Sequence, residues 1–218
     1  MASFNPIQTI MLENETQHLP RLGSGLNQLR NEDVFCDITI TVDKKAFRAH
    51  KAVLTAGSDY FRAMFKGGFQ EEALSNVTIP GESDIFSCIL EFIYTGRFQV
   101  SQDSLLDVLN LANYLQVSHV VSVGAEHLVK RLDGSHQEFA ITPSEIADTW
   151  VFARNIRHTL LADTVESYVT SHISALSDME EFKEHMPFDL LSMQLEKGEE
   201  LAASASEEMV SGKYVMIW

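Results

Sequence analysis

Covalent chemistry in this chain would have to start near Cys36, Asp37 and His50, where a thiol, a carboxylate and an imidazole fall close together in the sequence. A carboxylate doing acid–base work needs a matched base or nucleophile. None is identifiable for Asp37, which reads instead as a partly buried charge paired with Arg48 or Lys51 on the hairpin and helix that follow. His50 lies between a strand and a helix and reads as a structural histidine rather than a metal ligand. The eight histidines are scattered, and no two stand four residues apart on one helix face. Gly23-Ser24-Gly25 lacks the preceding strand and the third glycine of a dinucleotide-binding turn. No phosphate-binding loop or nucleophile elbow appears either. No enzyme, no cofactor and no metal are expected.

What remains is surface. Phe69-Gln70-Glu71 follows a glycine pair, which places a large apolar side chain on a pliable loop. Such aromatic residues make good anchors in partner pockets. Six of the eleven basic residues before Thr142 lie between Lys44 and Lys66, as a solvated face or as the lining of a charged groove.

The elements that position these residues are legible from periodicity. Leu19, Leu22, Leu26 and Leu29 form one stripe on a helix from His18 to Arg30. Gly23 and Gly25 weaken that helix by roughly 1 kcal/mol each, so it must dock on its own domain or on a second copy. Asp37–Val42 alternates strictly, with Ile38, Ile40 and Val42 on one face. Asp43-Lys44-Lys45 turns the chain, Ala46–Ala49 returns as a second strand, and one helix is expected from Lys51 to the Gly67-Gly68 stop. Asn76–Ile79 is a short strand stopped by Pro80-Gly81. Ile85–Ile93 is a buried helix closed by Gly96, and Phe98–Val100 is a candidate strand. Helices follow over Leu105–Leu115 and Val117–Leu132. Short strands followed by a stack of helices indicate an α+β domain.

The polar stretch Asp133–Ala140 breaks the pattern and marks a boundary. Thr142-Pro143-Ser144-Glu145 then opens an all-helical unit with a capping box, and Ser177-Asp178-Met179-Glu180 repeats the device. Leu160, Leu161, Val165, Tyr168, Val169 and Ile173 mark the next helix, Pro187 opens another, and a last one follows Ser206. That final helix stops mid-pattern at Trp218, as expected of a fragment or short form of something longer.

The formal charge of −15 argues against binding phosphate backbones or an anionic membrane surface. Two cysteines, Cys36 and Cys88, are too few for a disulfide framework. No signal-peptide pattern opens the chain, and no run approaches the ~20 apolar residues of a membrane span. The expected compartment is the cytosol or the nucleus.

Taken together, DITITVDKKAFRAHKAVLTAGSDYFRAMFKGGFQEE, FIYTGRF and LANYLQV closely resemble the BTB domain of BTB–BACK–Kelch proteins. The expected organisation is a loosely ordered 1–17, a BTB/POZ domain over 18–133 and a partial BACK domain over 141–218. In the last, EFKEHMPFDLL and EEMVSGKYVMIW match best, and Ser144-Glu145-Ile146-Ala147 stands where Asn-Cys-Leu is usual. The resemblance implies a homodimer with Leu19, Leu22, Leu26 and Leu29 at its interface, and a charged groove containing Asp37, Arg48 and Lys51. It also implies docking on cullin-3, as substrate adaptor of a RING-type ubiquitin ligase. The implied contacts are Ala63, Met64, Phe65, Phe69 and Glu71, with Asn113 and Tyr114 bordering them, and the helices from Thr142 add a second contact. The substrate would be a protein bound by a Kelch propeller, whose repeats are absent here. The alternative is a BTB scaffold or transcription co-regulator that binds a corepressor peptide. Leu22→Asp or Leu26→Asp is expected to convert the dimer to a monomer by light scattering, because either buries a charge in an apolar seam.

Overall fold

The computed structural model describes residues 15–66, 75–134 and 141–176, with Met179, Phe182 and 187–192 beyond them. The chain divides into two compact units, one of residues 1–100 with 115–117, the other of 101–114 with 118–218.

The first unit begins with helix α1 (Glu15–Asn31), which carries Pro20 inside it. Strands β1 (Ile38–Val42) and β2 (Lys45–Ala49) form an antiparallel hairpin in which Val42 faces Lys45. The two loop residues, Asp43 and Lys44, both adopt positive φ, at 44° and 65°. That is the mirror-image turn whose twist suits a two-residue hairpin. Strand β3 (Asn76–Thr78) joins the other side of β1 in parallel, giving the order β2-β1-β3. The period-two alternation of β1 is realised fully: Ile38, Ile40 and Val42 are completely buried. Phe47 meets Phe86 edge to face at 5.1 Å between ring centres.

The single helix expected from Lys51 is two helices, α2 (Lys51–Gly57) and α3 (Asp59–Lys66). Ser58 separates them in an extended conformation, φ −146° and ψ 125°. Its buried hydroxyl donates to the Leu115 carbonyl at 2.6 Å and accepts the Phe61 amide at 3.2 Å. A serine that caps the next helix while binding a distant carbonyl stabilises a break that apolar periodicity cannot register. Helix α4 (Ser83–Thr95) ends as expected at a left-handed Gly96, whose amide bonds to the Phe92 carbonyl at 2.8 Å. Phe98–Val100 is not a strand: Phe98 packs on Phe92 instead, with ring centres 5.7 Å apart.

The second unit contains α5 (Leu105–Tyr114), α6 (Ser118–Leu132), α7 (Pro143–Asn155) and α8 (Thr159–Leu176). Helices α5 and α6, expected within the first domain, thus pack in the same compact unit as α7 and α8. Gly124 lets α6 approach α5, since a Cβ there would lie 2.2 Å from Leu109 Cδ2. Thr142 caps α7 as expected, its hydroxyl accepting the Glu145 amide at 3.2 Å. The Glu145 carboxylate leaves the cap. It forms a bidentate pair with the buried Arg131 guanidinium, and Gln102 Nε2 donates to it at 3.1 Å. One helical turn follows Pro187, with the Leu190 amide on the Pro187 carbonyl at 3.0 Å. The second expected capping box (Ser177–Glu180) and the helix after Ser206 lie outside the described residues, apart from Met179. Among the described residues no helix is long and apolar enough to cross a membrane.

Helix α1 docks on α4 of its own chain, and the glycines that weaken it have different roles. A Cβ on Gly23 would sit 2.5 Å from the Tyr94 carbonyl oxygen, whereas Gly25 has nothing within 4 Å. Gly25→Ala is therefore expected to stabilise the fold by up to about 1 kcal/mol through helix propensity. Gly23→Ala is expected to cost about 1–3 kcal/mol, since a backbone carbonyl cannot move aside as a side chain can. Urea denaturation of the two variants checks the opposite signs.

Candidate protein-interaction site

Tyr94, at the end of α4, joins several pieces of the first unit. Its hydroxyl meets the His50 backbone amide at 2.9 Å and His50 Nδ1 at 2.8 Å. His50 Nε2 lies 2.9 Å from the Val34 carbonyl. Together these contacts assign one proton pattern: Nε2–H donates to Val34, Tyr94 O–H donates to Nδ1, and the Tyr94 oxygen accepts the His50 amide. Both ring nitrogens of His50 are thereby used, which leaves it structural. Burial pushes the Tyr94 phenol up to about 12, against the smaller opposing effects of the His50 amide and Arg30. The Arg30 guanidinium stands 5.2 Å above its ring centre.

Cys36 lies beside this network, 3.7 Å from His50 Nε2. Burial first, then the Asp33 charge, raises its thiol above the ordinary range, and burial does the same for Cys88. Both shifts disfavour the reactive thiolate. Among the described residues no three His, Cys, Asp or Glu side chains cluster closely enough to hold a metal ion.

The charged residues expected in one groove make the following contacts. The Asp37 carboxylate accepts the Lys51 amide at 2.7 Å, so it caps α2 from outside the helix. His50, the residue at the cap position, makes no such bond with its own side chain. Arg48 takes Asp33 as its ion-pair partner, at 2.6 Å from Nε to Oδ1. Its other nitrogens donate to the Cys36 carbonyl at 2.6 Å and to Thr39 Oγ1 at 2.9 Å. The Asp33 hydrogen bond chiefly lifts the Arg48 guanidinium above its already high range. The Lys51 ammonium stands 5.6 Å above the Phe65 ring.

On α3, Ala63 is exposed and Met64 half-buried, while Phe65 is 8% exposed and stacks on Phe61 in the core. Asn113 and Tyr114 are exposed at the end of α5. Phe69 and Glu71 lie outside the described residues. Along α1, Leu19 and Leu22 are 61% and 51% exposed, whereas Leu26 and Leu29 are half-buried. Sequence reasoning missed Asp33 as the partner of Arg48, and it missed Phe35, which stands in solvent beside the end of α1.

The model of the BTB/POZ domain matches residues 26–132, which take in most of the first unit and helices α5 and α6. The chain carries a BTB/POZ domain. This small sheet with its helices, followed by a helical region, is the α+β architecture expected, and the domain is a non-catalytic protein-interaction module. The chain is similar to zinc finger and BTB domain-containing protein 44 of Mus musculus, 38% identical over 120 residues, covering 53% of this chain and 26% of that protein. It is also similar to Kelch-like protein 28 of Homo sapiens, 35% identical over 184 residues, covering 84% of this chain and 31% of that protein. The solved BTB domain of zebrafish PATZ1 covers 56% of this chain and 99% of its own, with 26% identity and a TM-score of 0.49. The chain thus spans only about a quarter to a third of the length of these two curated relatives.

Tyr94→Phe leaves the buried His50 amide and Nδ1 without a partner and is expected to cost about 1–3 kcal/mol near neutral pH. The unfolded phenol loses its proton near 10 and the folded one near 12, so deprotonation favours the unfolded chain across that window. Wild-type stability should therefore fall more steeply than that of the variant from pH 10 to about 12, as checked by denaturation at a series of alkaline pH values.

Proposed function

We propose that this chain acts as a homodimeric substrate adaptor of a cullin-3 RING-type ubiquitin ligase. The carrying observation is the reach of one similarity. The likeness to Kelch-like protein 28 extends over 184 residues, and on a chain of 218 that length must run past residue 132 into α7 and α8. The likeness to the zinc-finger relative extends over 120 residues. Under this reading, residues 18–133 form the dimerising, cullin-docking BTB domain and residues 141–218 belong to a BACK domain. Phe69 and Glu71 provide the central contact, with the exposed Ala63 and half-buried Met64 on α3 beside them in sequence; Asn113 and Tyr114, exposed at the end of α5, are further contacts of this reading. Phe65 supports α3 from the core rather than meeting the partner.

A second reading rests on the higher identity, 38%, to zinc finger and BTB domain-containing protein 44. It makes the chain a co-regulator module that binds a corepressor peptide along the Asp37, Arg48 and Lys51 surface without ligase function. The two readings part in one experiment. Calorimetry of the chain against cullin-3 should show binding that weakens about 10-fold or more in both Phe69→Ala and Glu71→Ala. Affinity unchanged by either substitution would sink the docking site. Absence of cullin-3 binding, with a corepressor peptide bound instead, would favour the second reading.

A further inference from the structure

Helix α2 has 7 residues and α3 has 8, lengths at which a helix keeps its direction only through what its ends and its buried side touch. Phe61 and Phe65 supply the buried side of α3. Its start is held from elsewhere in the chain. Leu115 and Gln116 make the turn that closes α5, and residues 115–117 belong to the same compact unit as α2 and α3. Gln116 is left-handed, with φ 53°, where glycine commonly closes a helix. Ser58 Oγ donates to the Leu115 carbonyl at 2.6 Å, and the Asp59 amide donates to the Gln116 carbonyl at 3.4 Å. Donors at the start of one helix thus satisfy acceptors left at the end of another. Ser58 is 2% exposed and Leu115 completely buried, so water cannot take either part. Arg62 braces the same break: its Nε donates to the Thr55 carbonyl of α2 at 3.2 Å, and its Nη1 pairs with Asp59 at 2.8 Å.

Asn113 and Tyr114 are exposed immediately before Leu115, and Ala63 and Met64 follow Ser58 along α3. The cullin-3 reading assigns all four to the partner. The Ser58 hydroxyl is bonded at the origin of both pieces. It accepts the Phe61 amide at 3.2 Å, which starts α3, and it holds Leu115, which follows the end of α5. We propose that Ser58 is the positioning residue of the docking surface, setting the start of α3 and the end of α5 from one buried point. It touches no partner itself. This inference rests on the cullin-3 reading and adds to it a residue outside the contact set. The site needs one group that donates and accepts at once, which a hydroxyl does. Alanine leaves both the Leu115 carbonyl and the Phe61 amide without the bond, so the two pieces are free to shift. A surface already held in its bound shape loses less on association than one that must then be ordered.

The test is calorimetry of the full chain against cullin-3, at a temperature where the variants are folded, with Ser58→Ala, the milder Ser58→Cys, Ser58→Thr and a stability control. The control is Ile40→Val or Ile40→Ala, whichever falls nearer Ser58→Ala in Tm, since Ile40 is buried in the sheet. Ser58→Ala should weaken binding about 10-fold, and Ser58→Cys should act in the same direction because a thiol is a poorer donor. Ser58→Thr and the control should stay within about 3-fold of wild type. Amide hydrogen exchange over residues 111–117 should quicken in Ser58→Ala and not in the control. Wild-type affinity in Ser58→Ala overturns the positioning role and leaves the cullin-3 reading standing. An equal loss of affinity in the control assigns the effect to stability and overturns the role as well. So does a loss in Ser58→Thr as great as in Ser58→Ala. A wild-type chain without affinity for cullin-3 overturns both the reading and the role. Should Ser58→Ala fail to fold, Ser58→Cys decides by the same outcomes.

Discussion

The first unit depends on the placement of Tyr94. Its hydroxyl takes up the amide and ring of His50, its ring lies under Arg30, and its carbonyl fixes how near Gly23 of α1 can come. Helix α1, the loop that displays Phe35, the end of the hairpin and the end of α4 are thus tied to one side chain. Each contact is modest alone, but the polar atoms are buried, and a buried donor or acceptor without a partner costs more than a satisfied one contributes. The arrangement accordingly tolerates little local repair. Such rigidity suits a surface that must keep its shape to be recognised by another protein.

The second unit is fastened differently. The buried Arg131 on α6 and the half-buried Glu145 on α7 make a bidentate pair, to which Gln102 adds a third bond. Elsewhere in this unit Leu105, Val108, Leu128, Ile146 and Trp150 are buried, and the Arg154 guanidinium stands over the Trp150 ring at 5.4 Å. A buried pair of this kind contributes little net stability against an apolar core, but losing one partner strands the other charge. Its effect is geometric: it ties the first turn of α7 to the end of α6.

Much of this was legible in the sequence because it is local. The alternation of Ile38, Ile40 and Val42, the glycine stop at Gly96 and the threonine cap at Thr142 each follow from rules that act within a few residues. The departures have distant causes. Ser58 breaks a helix because it binds Leu115, Glu145 leaves its capping box because Arg131 claims it, and Arg48 turns to Asp33 rather than Asp37. The family resemblance groups Phe65 with Ala63 and Met64 as a contact, but helical spacing from Phe61 turns its ring into the core. Of the expected interaction residues, the exposed leucines of α1 and Asn113 with Tyr114 fall where a partner could reach them. Phe35 escaped notice because nothing in a sequence reports a left-handed backbone at phenylalanine.

The sheet has a consequence for how the chain is made. Strand β1 pairs with β2 across a two-residue turn, but its parallel partner β3 comes much later, with Ile40 facing Val77. During synthesis at about 5–20 residues per second, the hairpin therefore waits several seconds for its third strand. In that interval one side of β1 is an open edge, rich in β-branched residues, available to any other unfinished chain. Closing the long intervening loop is slow for the same entropic reason that makes non-local pairing slow in general. Formation of α2 and α3 eases that closure by taking up slack between the strands.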